Sequence, residues 1–315
     1  MNIVKNCMAI KKGENVQVWV DDDTLEIGKI LVKEIQDAGA TPLLVVFPDS
    51  IRPIHKYPDI LFSTAKDTDA IITILSKLYD EEHGANLSAF PVFLESGVRW
   101  AFTFDSNMDI MEHEMTADFK EIDELSDKVA KILNEGKSVE VKTKIGTDIT
   151  FSIEGRHGHK DGGLISNKGD FGNLPGGEAC TAPIETSANG VVVYDGTIPN
   201  IGALKTPIRV TFKNGRIDTI SGGVEADRLK KLISGVEGAD IVAEFGIGTN
   251  PVAKLRGNLI TDEKVLGTAH IAIGDNKRIP IGGVNECELH IDGVFFEPTI
   301  SIDGKVIMRD GKFCL

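Results

Sequence analysis

His290 and Asp292 alternate with Leu289, Ile291 and Val294 near the end of the chain. Residues two apart on a strand share a face, so this imidazole and carboxylate would project together while the apolar residues pack. Such a pair is a recurrent metal-ligand arrangement, and an exposed strand face has the same pattern. His270 stands in the apolar run Leu266–Gly274. An imidazole buried there needs a partner, because burial without one costs roughly a few kcal/mol. A backbone carbonyl is the usual answer. Together, however, His270, His290 and Asp292 form a two-histidine, one-carboxylate set able to hold one ferrous or zinc ion.

Two glutamates extend the set. Glu178 follows Asn173-Leu174-Pro175-Gly176-Gly177, a tight turn that delivers a carboxylate to the mouth of a strand. Glu244 lies inside the apolar run Ile241–Ile247, where a carboxylate must neutralise or pair with a cation. Five such donors suit two divalent ions sharing a bridging water. Zinc or cobalt fits, and manganese or ferrous iron would bind the same atoms. The other histidines read differently. His55, His83 and His113 have polar surroundings that suggest surface or capping roles, and His157 and His159 in Arg156–Asp161 read as a solvated loop.

The elements that must carry these residues divide in two. Of 33 glycines only six precede residue 141. In the first part, Val16–Val20 and Leu43–Phe47 read as strands, and Leu25, Ile30, Leu31, Ile35 and Ala38 recur at helical spacing up to Gly39. Strand, helix and strand in about 30 residues make a βαβ unit and imply a parallel sheet. A second helix has Phe119, Ile122, Leu125, Val129, Ile132 and Leu133 on one face and should close this domain at Gly136. The rest alternates as strands: Val139–Lys144, Asp148–Glu154, Ile208–Phe212, Ile217–Ile220, Leu289–Phe295 and Ile300–Ile302. Asn214-Gly215 marks a type I′ hairpin, and Val224–Ile233 reads as a helix. The expected fold is α/β: an N-terminal βαβ-containing domain (1–137), then a Gly-rich, mainly β (α+β) metal-binding domain (138–315).

Composition narrows the functions. With 34 Lys and Arg against 48 Asp and Glu, the formal charge is −14. A polyanion has no electrostatic reason to bind phosphate backbones or anionic lipid, so no nucleic-acid or membrane partner is expected. No apolar run approaches the ~20 residues of a membrane helix, and the N-terminus lacks the apolar core of a signal peptide. Cys7, Cys180, Cys287 and Cys314 form no CxxC pair. A reduced, cytoplasmic protein is the expectation.

The segment Leu174–Pro183, LPGGEACTAP, resembles the PxGEVFTAP motif of the aminopeptidase T and aminopeptidase S family. The Glu244, His270-Ile271-Ala272-Ile273-Gly274 and His290-Ile291-Asp292 segments follow in that family's order, so the resemblance spans roughly 95–315. It implies a dinuclear divalent-metal site built from Glu178, Glu244, His270, His290 and Asp292. It also implies a homodimer with an enclosed active site and a small peptide substrate. Two positions depart from the pattern. The peptidases carry a tyrosine seven residues after the motif histidine, where this chain has Lys277. Their acidic residue ahead of that histidine is matched by Glu263 only with a two-residue offset.

The principal expectation is a metal-dependent aminopeptidase, with Glu263 or Glu178 moving the proton as general acid/base. Lys277 or a backbone N–H would replace the tyrosine as oxyanion donor. The alternative is a mononuclear non-haem iron dioxygenase of the 2,5-dihydroxypyridine type, using His270, His290 and Asp292 alone. A non-catalytic metal-binding protein, with a closed coordination sphere, is the third reading.

Overall fold

The computed structural model describes residues 2–315, apart from the side chains of Asp80, His83 and Leu87. Two compact units emerge: residues up to Lys120 together with Gly163–Gly176, and Glu121–Gly162 together with Gly177–Leu315.

The first unit is built on a five-stranded parallel sheet. Its strands lie in the order Thr41–Phe47, Asn15–Asp21, Ala70–Ile74, Arg99–Thr103 and Phe171–Asn173. The βαβ unit is present, with its helix at Leu25–Asp37. Gly39, at φ +80°, lets the backbone turn left-handed, so that the Ala40 N–H reaches back to the Ile35 carbonyl and closes the helix end. An aromatic cluster fills one side of the sheet. Trp19 and Trp100 meet edge to face at 5.0 Å, and their indole N–H groups donate to Gln17 and Thr73.

The second unit pairs two antiparallel sheets. The larger has eight strands, in the order Arg216–Ser221, Ile208–Lys213, Asn189–Tyr194, Asp148–Ser152, Ser138–Lys142, Thr299–Ile302, Lys305–Arg309 and Lys312–Phe313. Asn214 and Gly215 both have positive φ, as the type I′ turn requires. The smaller has five strands: His290–Phe296, Thr268–Gly274, Val242–Gly248, Glu178–Thr181 and His159–Asp161. Phe245, Ile247, Ala269, Ile271, Ile273, Ile291 and Phe295 of this sheet join Val141, Ile149, Val192 and Ile300 of the larger one in a single core.

The amphipathic helix Phe119–Glu135 gives Val129, Ala130 and Leu133 to that same core. It was expected to close the first domain, yet from Glu121 onward it clusters with the second unit. Its apolar stripe covers a β core, a destination that periodicity alone does not specify. Among the described residues, no helix is long and apolar enough to cross a membrane.

Candidate metal centre

Register explains the site. In antiparallel neighbours, residues directly opposite each other share a face. Asp292 pairs with Ala272, and Ala272 with Glu244. His270 pairs with Gly246, Gly248 with Glu178, and Glu178 with Asp161. His290 stands opposite Gly274 on the same face. One face of the five-stranded sheet therefore carries every strand-borne donor, while the other face builds the core. Gly246 leaves room for the His270 ring, and Gly248 for the Val265 carbonyl of the neighbouring loop.

Glu244, His270 and Asp292 are buried, and His290 is 26% exposed at its side chain. His290 Nε2 lies 3.3 Å from Glu244 Oε2 and 3.4 Å from Asp292 Oδ1. His270 Nε2 lies 3.5 Å from Glu178 Oε2, 3.6 Å from Glu244 Oε1 and 3.9 Å from Asp292 Oδ1. Ligands about 2.1 Å from one tetrahedral ion sit ~3.4 Å apart, so these spacings fit donors arranged around divalent ions. Glu244 faces both imidazoles, one with each oxygen.

Two further details match a metal site. His290 Nδ1 lies 2.7 Å from the Asp275 carbonyl. An N–H donated there orients the ring so that Nε2 is the atom facing the carboxylates, available to a metal once it loses its proton. Glu178 Oε2 is buried with no hydrogen-bond partner among the described residues. Such an atom is costly unless a cation completes it.

The electrostatics follow from crowding. Burial opposes the charged form of Glu244, but hydrogen bonds from His270 and His290 hold its carboxyl well below the usual range. Burial also opposes protonation of the two histidines. Carboxylates override it, raising His270 to about 9 and His290 well above its ordinary value. Burial pushes Glu263 up to about 8, with Glu178 and Asp292 adding repulsion and Lys264 opposing it.

The structure thus brings together all six residues singled out from the sequence. Glu178, Glu263 and His270 form one group of potential ligands, and Glu244, His290 and Asp292 another. Glu263 is not on the sheet. It ends the short helix Leu259–Asp262, within a loop tied by Asp262 to the Arg256 and Gly257 N–H groups.

Three residues of this face were missed. His159–Asp161 is an edge strand and not a solvated loop, so Asp161 is buried beside Glu178. The cationic neighbours suggested solvent, whereas pairing with Glu178–Thr181 draws the segment inward. Lys264 is wholly buried among the acids, which its polar segment, Asp262-Glu263-Lys264, did not signal. Cys180, two residues from Glu178, shares the face and is a buried free thiol. Lys277 is exposed and pairs with Glu286 at 2.5 Å. His55, His113 and His157 are exposed, in keeping with surface roles, and the His83 side chain lies outside the described residues.

A buried face of carboxylates and imidazoles on an antiparallel sheet is the kind of donor set that could hold metal ions in an enzyme. The chain belongs to the 2,5-dihydroxypyridine 5,6-dioxygenase (NicX) family, whose model matches residues 7–315. It is also 27% identical to Aminopeptidase PepS of Streptococcus thermophilus, over 98% of this chain and 93% of that protein. Two solved structures share the fold at 18% identity. The 2,5-dihydroxypyridine dioxygenase of Pseudomonas putida KT2440 has a TM-score of 0.80, covering 96% of this chain and 92% of its own. Wild-type AmpT of Thermus thermophilus has a TM-score of 0.74, covering 100% and 97%. The resemblance to the aminopeptidase S and T group drawn from the motifs stands, as does the α/β class. The dioxygenases weighed against it are relatives of the same chain.

Proposed function

We propose that this chain is a metal-dependent aminopeptidase that removes N-terminal residues from peptides. One observation carries the reading. Glu178 and Glu244 are buried on the face that holds His270, His290 and Asp292. A single ferrous ion needs only two histidines and one carboxylate, so Glu178 and Glu244 are more ligands than mononuclear iron requires.

Under this proposal Glu178, Glu244, His270, His290 and Asp292 would hold two divalent ions, zinc or cobalt. When bound, the metal supplies Lewis-acid polarisation of the scissile carbonyl and acidifies a water. The protein does the rest. Glu263, its carboxylate held 2.9 Å from the Lys264 ammonium, would accept a proton from the attacking water and return it to the leaving amine. The His290–Asp275 hydrogen bond keeps one imidazole oriented. Homodimerisation and a cytoplasmic location belong to the same proposal. The resemblance supports the first, and the three buried free cysteines, with a fourth exposed, support the second.

The test is hydrolysis of Leu-p-nitroanilide by chain purified without chelator and loaded with zinc or cobalt. Activity abolished by Glu244→Gln supports the proposal. Absence of hydrolysis in metal-loaded wild-type chain overturns it. A second reading, ring cleavage by a mononuclear ferrous site, is favoured by the grouping of His270, His290 and Asp292 and by the family match. Oxygen uptake with ferrous iron and 2,5-dihydroxypyridine measures it directly.

A further inference from the structure

Among the described residues, Lys264 is the only buried lysine, and its side chain is fully enclosed. Its ammonium bonds Glu178 Oε1, lies 2.9 Å from Glu263 Oε1 and 3.2 Å from Asp161 Oδ2. Three carboxylates around one ammonium match its three N–H donors. The backbone on either side is fixed. The Lys264 N–H donates to the Thr261 carbonyl, and the Lys264 carbonyl accepts from Asn250 N at 2.8 Å.

We propose that Lys264 is a positioning residue that acts as a permanent cation of the site, reserving Glu263 and Asp161 for itself and keeping them out of metal coordination. By holding Glu178 Oε1 it also leaves Oε2 facing His270 Nε2 at 3.5 Å. The inference rests on the metal-site reading above and deepens it. It separates two groupings that the coordinates allow. Glu178, Glu263 and His270 are close enough to bind one ion together. For Glu263 to do so through Oε1, however, one of the three N–H donors of a fully buried ammonium must lose its acceptor, which is costly.

Charge supports the division. Asp161, Glu178, Glu244, Glu263 and Asp292 are five buried carboxylates. One ammonium and two divalent ions neutralise five negative charges when both imidazoles are neutral. The lysine accounts for what the ions leave over. It also leaves the Glu263 carboxyl uncoordinated, as a proton carrier must be.

The test is zinc content and zinc affinity of the whole chain, measured by elemental analysis and by competition with a chromophoric chelator. Glu263→Gln is expected to keep the wild-type zinc count, with affinity within about threefold. Glu178→Gln is expected to lose an ion or to bind it more than ~100-fold less tightly, beyond the ~10–100-fold cost of losing a supporting partner. Loss of an ion in Glu263→Gln overturns the proposal. A crystal structure of zinc-loaded wild-type chain decides the question without any variant. Glu263 on Lys264, with no oxygen near 2.0–2.2 Å from zinc, supports it, and a zinc–Glu263 bond overturns it. Wild-type chain that takes up no zinc would count against the metal-dependent function, and the Glu178 and Glu263 variants would then not differ, which overturns this proposal as well.

Discussion

Gly246 lies directly opposite His270 in the sheet, and the imidazole occupies the space a side chain would fill. A Cβ at 246 would fall closer than 3.0 Å to His270 Cε1 and Nε2. The glycine is therefore part of the site. Gly246→Ala should displace the ring, weaken zinc binding by ~10–100-fold and destabilise the fold by about 1–3 kcal/mol. Zinc titration and urea unfolding of the same variant measure both. Unchanged zinc affinity would mean that His270 is not a ligand.

Metal removal should soften the second unit. Without ions, one ammonium faces five buried carboxylates, which then hold protons or repel one another. The melting temperature should rise with free zinc relative to a chelator-treated sample. A thousandfold excess over Kd corresponds to about 4 kcal/mol. In Glu244→Gln the rise should be lost. Identical melting of stripped and zinc-loaded wild-type chain would contradict the site.

The first unit has its own buried charges. The Arg52 side chain is 2% exposed and pairs with Asp21 Oδ2 at 2.5 Å and Glu82 Oε2 at 2.6 Å. Burial would raise the Glu82 pKa, but Arg52 and the Ile54 and Tyr79 N–H groups hold it below the ordinary value. A carboxyl lowered in the folded state adds stability above its unfolded pKa, about 4.3, and loses it as pH falls through the folded value. Arg52→Met should cost roughly 3–5 kcal/mol at pH 7. The gap between wild type and variant should narrow below about pH 4. Denaturant titrations at pH 7 and pH 3 check the sign, and a gap that widens in acid would refute the assignment.

Gly177 has φ +142°, and a Cβ there would clash with Asn250 Cβ. Its N–H donates to the Asp161 carbonyl, and its own carbonyl accepts from Thr249 N. Gly177→Ala should destabilise by about 1–3 kcal/mol and disturb the neighbouring Glu178. Gly304→Ala is the control, since its φ is also positive but nothing lies within 4 Å of a Cβ there. It should cost only ~1 kcal/mol and leave zinc binding intact. Equal effects at the two positions would show that close approach at 177 is unimportant.

What was legible in the sequence follows from how local each signal is. The helices Leu25–Asp37 and Val224–Ile233, and the Asn214-Gly215 turn, depend on spacing and turn chemistry within a few residues. His290 and Asp292 were readable because two-residue alternation is also local. Glu178, Glu244 and His270 stood out as polar groups in apolar or turn-bound settings, and the motif resemblance joined them. Asp161 and Lys264 carried no such mark. Asp161 owes its role to strand register with Glu178, and Lys264 to a loop folding back onto residues 86 and 103 positions away, Glu178 and Asp161. The helix Phe119–Glu135 shows the same limit. Its stripe was plain, but its packing partner was not.

The five-stranded sheet has one face of chemistry and one of packing, so a single strand carries two separable scripts. Along Val242–Gly248, Phe245 and Ile247 keep the fold together, while Glu244, Gly246 and Gly248 write the reaction. Such a scaffold can exchange one catalytic outcome for another by edits on one side, with its interior left as it was. A library confined to positions 180, 244 and 272 should yield altered chemistries from chains that still fold, with Gly248 kept because a Cβ there would meet the Val265 carbonyl.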